Sequence, residues 1–188
     1  MRNEFQIIPS VTDLKNFEYA LEVPGDTILL AGTHIGNLKG LAKTVHDSGK
    51  KVIVNHETVG GLGNDRTSFH MLKNLFRVDG ILGSSPAKLN TAKGLDFMTI
   101  FRLPLMDSQS VKKGLSVLKE LRADVVELRP YYHAVEFLPE FREVHDGPFY
   151  VAGYVNTREK LLRSIEAGFS GVITSTRSLW DEDLSELF

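Results

Sequence analysis

Residues 171–180, GVITSTRSLW, change from apolar to polar in the middle of the segment. A glycine and a β-rich apolar run predict a buried strand, and Thr174, Ser175 and Thr176 follow where a helix would begin. Small hydroxyl groups and main-chain amides at the start of a helix are good hydrogen-bond donors to an anion. The segment therefore predicts an α/β unit with an anion site at the carboxyl end of its strand.

The same kind of apolar run occurs seven more times, and stretches with helical periodicity separate the runs. The earlier runs are FQII (near residue 5), TILLAG (27), KVIVN (51), GILGS (80), MTIFRL (98), DVVEL (124) and FYVAGYV (149). Strands that are apolar on both faces and alternate with helices form parallel βαβ units. A doubly wound open sheet and a closed barrel both fit, and eight evenly spaced units favour the barrel. We predict one compact α/β domain over residues 1–188, a TIM-barrel-like (βα)8 fold with parallel strands.

Capping residues predict several helix ends. Ser10 is expected to open the first helix, Asp107 the fifth and Thr157 the seventh, while Gly49 and Gly168 close two others. The tail LWDEDLSELF (179–188) is predicted to form a helix with Leu179, Leu184, Leu187 and Phe188 on one face. That face either closes the amino end of the barrel or contacts a second copy in a homo-oligomer.

The composition excludes several classes of protein. The chain has no cysteine, which excludes disulfides, thiol catalysis and cysteine-bound metals. No apolar run reaches the ~18 residues of a membrane span, and the first residues lack the pattern of a secretory signal. We therefore expect a cytoplasmic protein without a membrane partner. The formal charge of −2 means that any RNA contact needs a local basic patch.

The exits of the seventh and eighth strands are the predicted phosphate site. In parallel barrels the functional face is formed by the carboxyl ends of the strands, and these two exits hold phosphate most often. Gly153 allows close approach of the backbone, and Thr174, Ser175 and Thr176 add hydroxyl groups. We expect unpaired main-chain amides of both loops to hold the anion. Taken alone, each feature also fits a purely structural role: Gly153 fits a turn, and the Thr/Ser cluster fits a helix N-cap.

Arg102 and Glu127 are the charged residues expected inside the mouth of the barrel. Arg102 follows Ile100 by two positions and Glu127 follows Val125 by two, so each shares a face of its strand with an apolar residue. A charge in that position needs a partner. The two either pair as a structural bridge or bracket the hydroxyl groups of a ligand, and both can hold. Arg129 is expected at the rim.

No metal or cofactor site is predicted. His34, His56 and Glu57 follow the second and third strands, but no HExxH or other ligand spacing is present. The glycine-rich segment at 60–63 lacks the Lys-Ser/Thr pair of a P-loop, so it is interpreted as a flexible lid or turn.

Five ordered segments, spread from residue 34 to residue 180, resemble a known family. They are HIGNLKG (34–40), RLPLMDS (102–108), VELRP (126–130), VAGYVNT (151–157) and GVITSTRSLW (171–180). The family is that of the glycerol uptake operon antiterminators, which are glycerol-3-phosphate-responsive regulators of transcription. The resemblance implies a TIM-barrel-like domain that is not an enzyme. It also implies an effector, glycerol 3-phosphate, and a partner, the leader mRNA of a glycerol-utilisation operon.

Carried over by position, the resemblance implies three groups of ligand-binding residues. The phosphate is expected at Gly153, Tyr154, Ser175 and Thr176. The glycerol moiety is expected near Arg102, Asp107 and Glu127, with His34 and Lys39 on the adjoining rim. Two departures from the family pattern stand out. Tyr154 replaces the second of two glycines, and strand four ends in GSSPAK (83–88) instead of a Ser-Thr-Arg run.

Two other functions stay open. One is a phosphate-binding TIM-barrel enzyme of the isomerase or aldolase kind, and the other is a phosphorylated-metabolite binding protein without an RNA function. No lysine stands at a strand exit inside the barrel to form a Schiff base, and no cysteine is available as a nucleophile. Glu127, or Glu57 with His56, leaves acid–base chemistry possible.

Overall fold

The structure, a computed structural model, describes residues 5–184. Eight parallel strands follow one another around a closed barrel, in which the last strand pairs with the first. The strands are β1 (Gln6–Val11), β2 (Thr27–Leu30), β3 (Lys51–Asn55), β4 (Gly80–Gly83), β5 (Met98–Pro104), β6 (Val125–Arg129), β7 (Phe149–Ala152) and β8 (Gly171–Thr174). All eight coincide with the predicted runs, and the TIM-barrel-like α/β fold is confirmed.

Each of the first seven strands is followed by an α-helix. The helices are α1 (Phe17–Glu22), α2 (Ile35–Asp47), α3 (Arg66–His70), α4 (Pro86–Lys93), α5 (Ser108–Leu118), α6 (Tyr131–Arg142) and α7 (Arg158–Glu166). The third helix is short and continues into a π-helical turn, Met71–Leu75. The segment after β8 forms only a short 3₁₀ helix, Arg177–Leu179. The eighth helical unit is therefore reduced to a single turn.

The strands divide their side chains between the barrel interior and the helix layer. Ile8, Leu29, Ile53 and Ile173 belong to the interior cluster, whereas Val54 faces the larger core under the helices. Burial of a large apolar side chain stabilises the fold by about 1.5–3 kcal/mol. Because both faces are buried, the strands contain continuous apolar runs.

Carboxylates fix the strands at the amino end of the barrel. Asp79, just before β4, accepts a hydrogen bond from the Val52 amide at 2.7 Å. Asp124, just before β6, accepts hydrogen bonds from the Thr99 amide at 2.8 Å and from the Thr99 hydroxyl at 2.7 Å. Each carboxylate therefore ties the start of its own strand to the preceding strand.

The predicted caps are mostly confirmed. Asp107 and Thr157 are the N-caps of α5 and α7, and Gly49 and Gly168 adopt φ of 81° and 94° beyond the ends of α2 and α7. The prediction for Ser10 is wrong, because Ser10 lies in β1. The cap of the first helical turn is Asp13, whose side chain accepts from the Lys15 amide.

The predicted tail helix is not found among residues 179–184. Leu179 lies in the 3₁₀ helix and is buried, and no helix follows it before the last described residue. The indole N–H of Trp180 donates to the Thr174 carbonyl at 2.8 Å, and its ring stacks on Tyr19 with centroids 6.2 Å apart. These contacts hold the tail against the outside of the barrel. Leu187 and Phe188 lie outside the described residues.

Candidate ligand-binding site

A cavity of about 570 Å³ opens at the carboxyl ends of the strands. Six of the ten predicted ligand-binding residues line it together. They are Arg102, Gly153, Tyr154, Thr174, Ser175 and Thr176. The fold thus brings Arg102 of β5 into one space with residues at the ends of β7 and β8, which come 51 to 74 positions later in the sequence.

The other four predicted residues do not line this cavity. Asp107 accepts a hydrogen bond from the Ser110 amide at 2.7 Å, which is a capping contact of α5. His34 caps α2, where its Nδ1 accepts from the Gly36 amide at 3.1 Å. Lys39 is exposed on α2. Glu127 is fully buried behind the cavity wall.

Arg102, Glu127 and Arg129 form one charged group in the mouth. Arg102 and Glu127 are partners in the β5–β6 register, and the arginine donates from Nε and Nη2 to the two carboxylate oxygens at 2.8 and 3.0 Å. Nη1 of Arg129 lies 4.0 Å from Oε1 of the same carboxylate. The structural bridge is therefore present, and Arg102 still lines the cavity. One buried carboxylate serves two cations, which leaves a net positive charge facing the ligand space.

The loop after β8 uses some of its donors internally. The Thr174 hydroxyl donates to the Val155 carbonyl at 2.7 Å and accepts from the Thr176 amide at 3.1 Å. The expectation that the Thr176 amide is unpaired is therefore wrong. The physical reason is local, because a threonine hydroxyl can capture the amide two residues later. Ser175, which is exposed, and the side chain of Thr176 remain at the cavity wall.

Gly153 and Tyr154 both adopt left-handed backbone conformations. Gly153 has φ of 73°, and a Cβ at this position would lie 3.6 Å from Nε and Nη2 of Arg129. Tyr154 has φ of 66° and is 70% exposed. Left-handed geometry costs a residue with a side chain roughly 1–2 kcal/mol, whereas glycine adopts it freely. This explains why a doubled glycine suits the site and makes Tyr154 a strained substitute.

The residues of the cavity wall that sequence reasoning missed include Arg129, Asn55 and Ser10. Arg129 was expected at the rim, but it lies in the mouth beside Glu127. The signal was available, since Arg129 follows Glu127 by two positions and therefore shares its face of the strand. The same spacing relates Asn55 to Ile53 and Ser10 to Ile8, both of which are interior residues.

The polar residues of the second and third exits do not cluster in the way that metal ligands do. His56 is buried, with Nε2 lying 3.9 Å from Oε1 of Glu57, and burial lowers the pKa of its imidazole. Glu57 accepts a hydrogen bond from the Ser84 amide at 3.0 Å. Within residues 5–184 no group of three potential metal-ligating side chains is present.

Residues 7–180 match the model of a family described as glycerol-3-phosphate responsive antiterminator. A solved glycerol uptake operon antiterminator regulatory protein from Listeria monocytogenes is 29% identical, with a TM-score of 0.88 over 95% of this chain and 96% of that one. A glycerol uptake operon antiterminator-related protein from Thermotoga maritima is 28% identical, with a TM-score of 0.84 over 95% of this chain and 99% of that one. No curated protein sequence matches significantly.

More distant structures share the barrel alone. An HpcH/HpaI aldolase from Desulfitobacterium hafniense has a TM-score of 0.69 over 98% of this chain and 89% of that one, but only 11% identity. Such a likeness describes the fold and carries no chemistry. Among the helices of residues 5–184, none is both long and apolar enough to span a bilayer.

Proposed function

Because this chain belongs to the glycerol-3-phosphate responsive antiterminator family, we propose that it binds glycerol 3-phosphate and, in response, the leader mRNA of a glycerol-utilisation operon. Glycerol 3-phosphate is the effector and occupies the cavity at the mouth of the barrel. The occupied protein binds the leader transcript in the cytoplasm and suppresses early termination. No chemical step is part of this function.

The observation that carries the proposal is the excess of cations in the cavity. Arg102 and Arg129 line it, while Glu127 between them is fully buried. Arg102 uses two of its five N–H donors on Glu127, so the others remain for a ligand. Charge-assisted hydrogen bonds contribute about 1.5–3 kcal/mol each. A micromolar to millimolar Kd requires about 4–8 kcal/mol, so three or four such bonds suffice.

The remaining wall suits a small polyol. Ser10 and Thr12 bring hydroxyl groups to the lining, together with Thr58, whose hydroxyl donates to the Asn55 carbonyl, and Asn55, whose Oδ1 accepts from the Glu57 amide and whose NH2 group remains a donor. Hydroxyl and amide groups both donate and accept, which matches the hydroxyl groups of a glycerol moiety. The volume of about 570 Å³ also lies within the ~300–1,000 Å³ that is usual for small-molecule sites.

The same wall supports binding over catalysis. Of the described residues that line the cavity, none is a lysine, a histidine or a carboxylate. Schiff-base chemistry requires a lysine, and histidine and carboxylates are the commonest general acids and bases. Glu127 is held by Arg102, and His56 lies outside the lining. The enzyme alternative therefore has no observation in its favour beyond the fold.

Thermal unfolding with glycerol 3-phosphate and with glycerol tests the ligand. At a concentration about 100-fold above Kd, binding stabilises the folded state by about 2.7 kcal/mol. For a chain of this length we expect the melting temperature to rise by roughly 5–10 °C. Glycerol lacks the anion and should produce no shift. Equal shifts with both compounds would remove the phosphate argument.

A matched pair of aspartate variants tests where the phosphate binds. Thr176→Asp adds a carboxylate to the cavity wall, and like-charge repulsion costs several kcal/mol. We expect the affinity for glycerol 3-phosphate to fall by roughly 100-fold or more, with the fold intact. Ser178→Asp adds the same charge at an exposed position of the 3₁₀ helix, outside the lining, and should leave the affinity nearly unchanged. Retained binding in Thr176→Asp contradicts the proposed phosphate position.

Fluorescence anisotropy with labelled leader RNA tests the partner. We expect binding that strengthens when glycerol 3-phosphate is added. The affinity should fall with salt, with a log–log slope of about −0.7 for each single-strand phosphate contacted. A protein that binds glycerol 3-phosphate but shows no ligand-dependent binding of the transcript is a metabolite-binding protein without an RNA function.

A further inference from the structure

Three large apolar side chains stand exposed beyond the ends of three consecutive strands, at one side of the mouth. Met106 follows β5 and is 76% exposed, Tyr132 follows β6 and is 61% exposed, and Tyr154 follows β7 and is 70% exposed. We call these three residues the rim platform. The other exposed large apolar side chains of the described chain reach at most 44%. The strongest apolar exposure is thus concentrated beside the ligand cavity.

Hydrogen bonds and ring contacts hold the rim platform in place. Nδ1 of His133, the neighbour of Tyr132, lies 2.6 Å from the carbonyl oxygen of Leu105, the neighbour of Met106. Lys160 donates from Nζ to the Tyr154 carbonyl at 2.9 Å, and the same ammonium lies 5.1 Å from the centroid of the Tyr132 ring. The exposed rings therefore belong to a preorganised surface.

Cationic side chains lie on the segments that carry the rim platform. Apart from Arg102 and Arg129, which line the cavity, residues 102–113, 127–136 and 153–160 contain Lys112, Lys113, Arg158 and Lys160, of which Arg158 pairs with Glu182 at 2.9 Å. In the described chain, the contacts of Lys160 are all with neutral groups: two oxygens and two tyrosine rings. Within residues 5–184, no carboxylate pairs with this ammonium group.

Exposed aromatic rings interleaved with cations match the chemistry of unpaired RNA. Unstacked bases stack on aromatic side chains, and cations contact the adjacent phosphates. We propose that Tyr132 and Tyr154, with Met106 beside them, form the surface on which a single-stranded segment of RNA stacks. This inference rests on the proposed function, and it locates the RNA partner next to the effector.

Tyr154 connects the two sites. Its side chain is exposed on the rim platform, and the same residue lines the ligand cavity beside Gly153. Its left-handed backbone, with φ of 66°, is a conformation that a tyrosine adopts only when its surroundings hold it. A ligand in the cavity therefore contacts a residue that also carries one of the two stacking rings.

Anisotropy with the labelled leader RNA, in the presence of glycerol 3-phosphate, tests the surface. Base–aromatic stacking is a sequence-tolerant contribution, and its loss in Tyr132→Ala should weaken RNA binding roughly 5- to 100-fold. Tyr132→Phe keeps the ring and should bind like the wild type. Leu75→Ala, which removes a 44% exposed side chain just before β4, is the matched control and should leave the affinity unchanged. Tyr132 lies outside the cavity lining, so Tyr132→Ala should keep the thermal shift with glycerol 3-phosphate.

The outcomes separate this inference from the proposed function. If Tyr132→Ala binds RNA with wild-type affinity, the rim platform is not the RNA-binding surface, but the proposed regulatory function still stands. No binding of RNA by the wild type overturns both. Size-exclusion chromatography tests whether a second copy of the chain binds to this surface instead. If Tyr132→Ala converts a dimer into a monomer while RNA binding is unchanged, the rim platform contacts a second copy of the chain and the RNA surface lies elsewhere.

Discussion

The two ends of the barrel both carry charged side chains, but they use them differently. At the amino end, Asp79 and Asp124 accept hydrogen bonds from main-chain amides of the neighbouring strands. At the carboxyl end, Glu127 accepts from Arg102, and both Arg102 and Arg129 border an open cavity. A carboxylate that binds main-chain amides only stabilises the fold. A carboxylate that binds arginines also positions guanidinium groups, whose remaining N–H donors are available to a ligand.

The largest expected difference between the ends is in folding stability. Glu127→Ala removes the carboxylate that holds Arg102 by two charge-assisted hydrogen bonds, and because the arginines border an open cavity where water can partly replace it, we expect a loss of about 1.5–3 kcal/mol. Asp124→Ala frees the Thr99 amide, but the carboxylate site is 40% exposed and water can replace it, so we expect a loss of about 1 kcal/mol. Urea denaturation of both variants measures the contrast. Equal losses of unfolding free energy would mean that Glu127 and Asp124 stabilise the fold to the same extent.

Backbone strain gives a smaller contrast. Tyr154→Gly at the mouth removes a left-handed cost of about 1–2 kcal/mol and adds a glycine entropy cost of about 0.5–1 kcal/mol. We expect a net gain of about 0.5–1 kcal/mol, seen as a melting temperature higher by roughly 1–4 °C. Asp96→Gly, at φ of 58° near the amino end, should gain less because aspartate tolerates this region better. A lower melting temperature for Tyr154→Gly would show that the tyrosine ring stabilises the fold.

Acid titration should affect the amino end in a narrow range of pH. Burial acts to raise the pKa of Asp124, but hydrogen bonds from Lys93 and Thr99 outweigh it and hold this pKa below its ordinary value. A depressed folded-state pKa contributes stability above the unfolded value of about 3.9, and this contribution is lost as pH falls through the folded value. The difference in melting temperature between the wild type and Asp124→Asn should therefore be constant from pH 7 to pH 5 and shrink below about pH 4. A difference that is unchanged at pH 3 would exclude this linkage.

The barrel could be predicted because its information is local to each strand. Runs that are apolar on both faces, such as residues 51–55 and 171–174, admit few architectures once eight of them alternate with helices. The alternation of side chains also placed Arg102 and Glu127 in the interior. The same rule would have placed Arg129 there. Their pairing depends on the stagger between β5 and β6, which no pattern within one strand contains.

The site was harder to predict because one residue type serves two roles. Asp107 and His34 carry polar groups at strand exits, as ligand-binding residues do, yet the structure uses both as helix caps. Thr174 looked like a ligand donor, but its hydroxyl is taken by Val155 and Thr176. Only the three-dimensional arrangement shows which of these donors the fold has already used.

The short loop between β8 and Trp180 is anchored at both of its ends on one residue. The Thr174 hydroxyl accepts a hydrogen bond from the Thr176 amide where the loop leaves the strand. The Thr174 carbonyl accepts one from the indole N–H of Trp180 where the loop ends. The conformational entropy of this segment is therefore lost when the chain folds and not when a ligand binds. A ligand that enters the mouth therefore meets a finished wall on this side, which the Thr174 hydroxyl also ties to the neighbouring loop through the Val155 carbonyl.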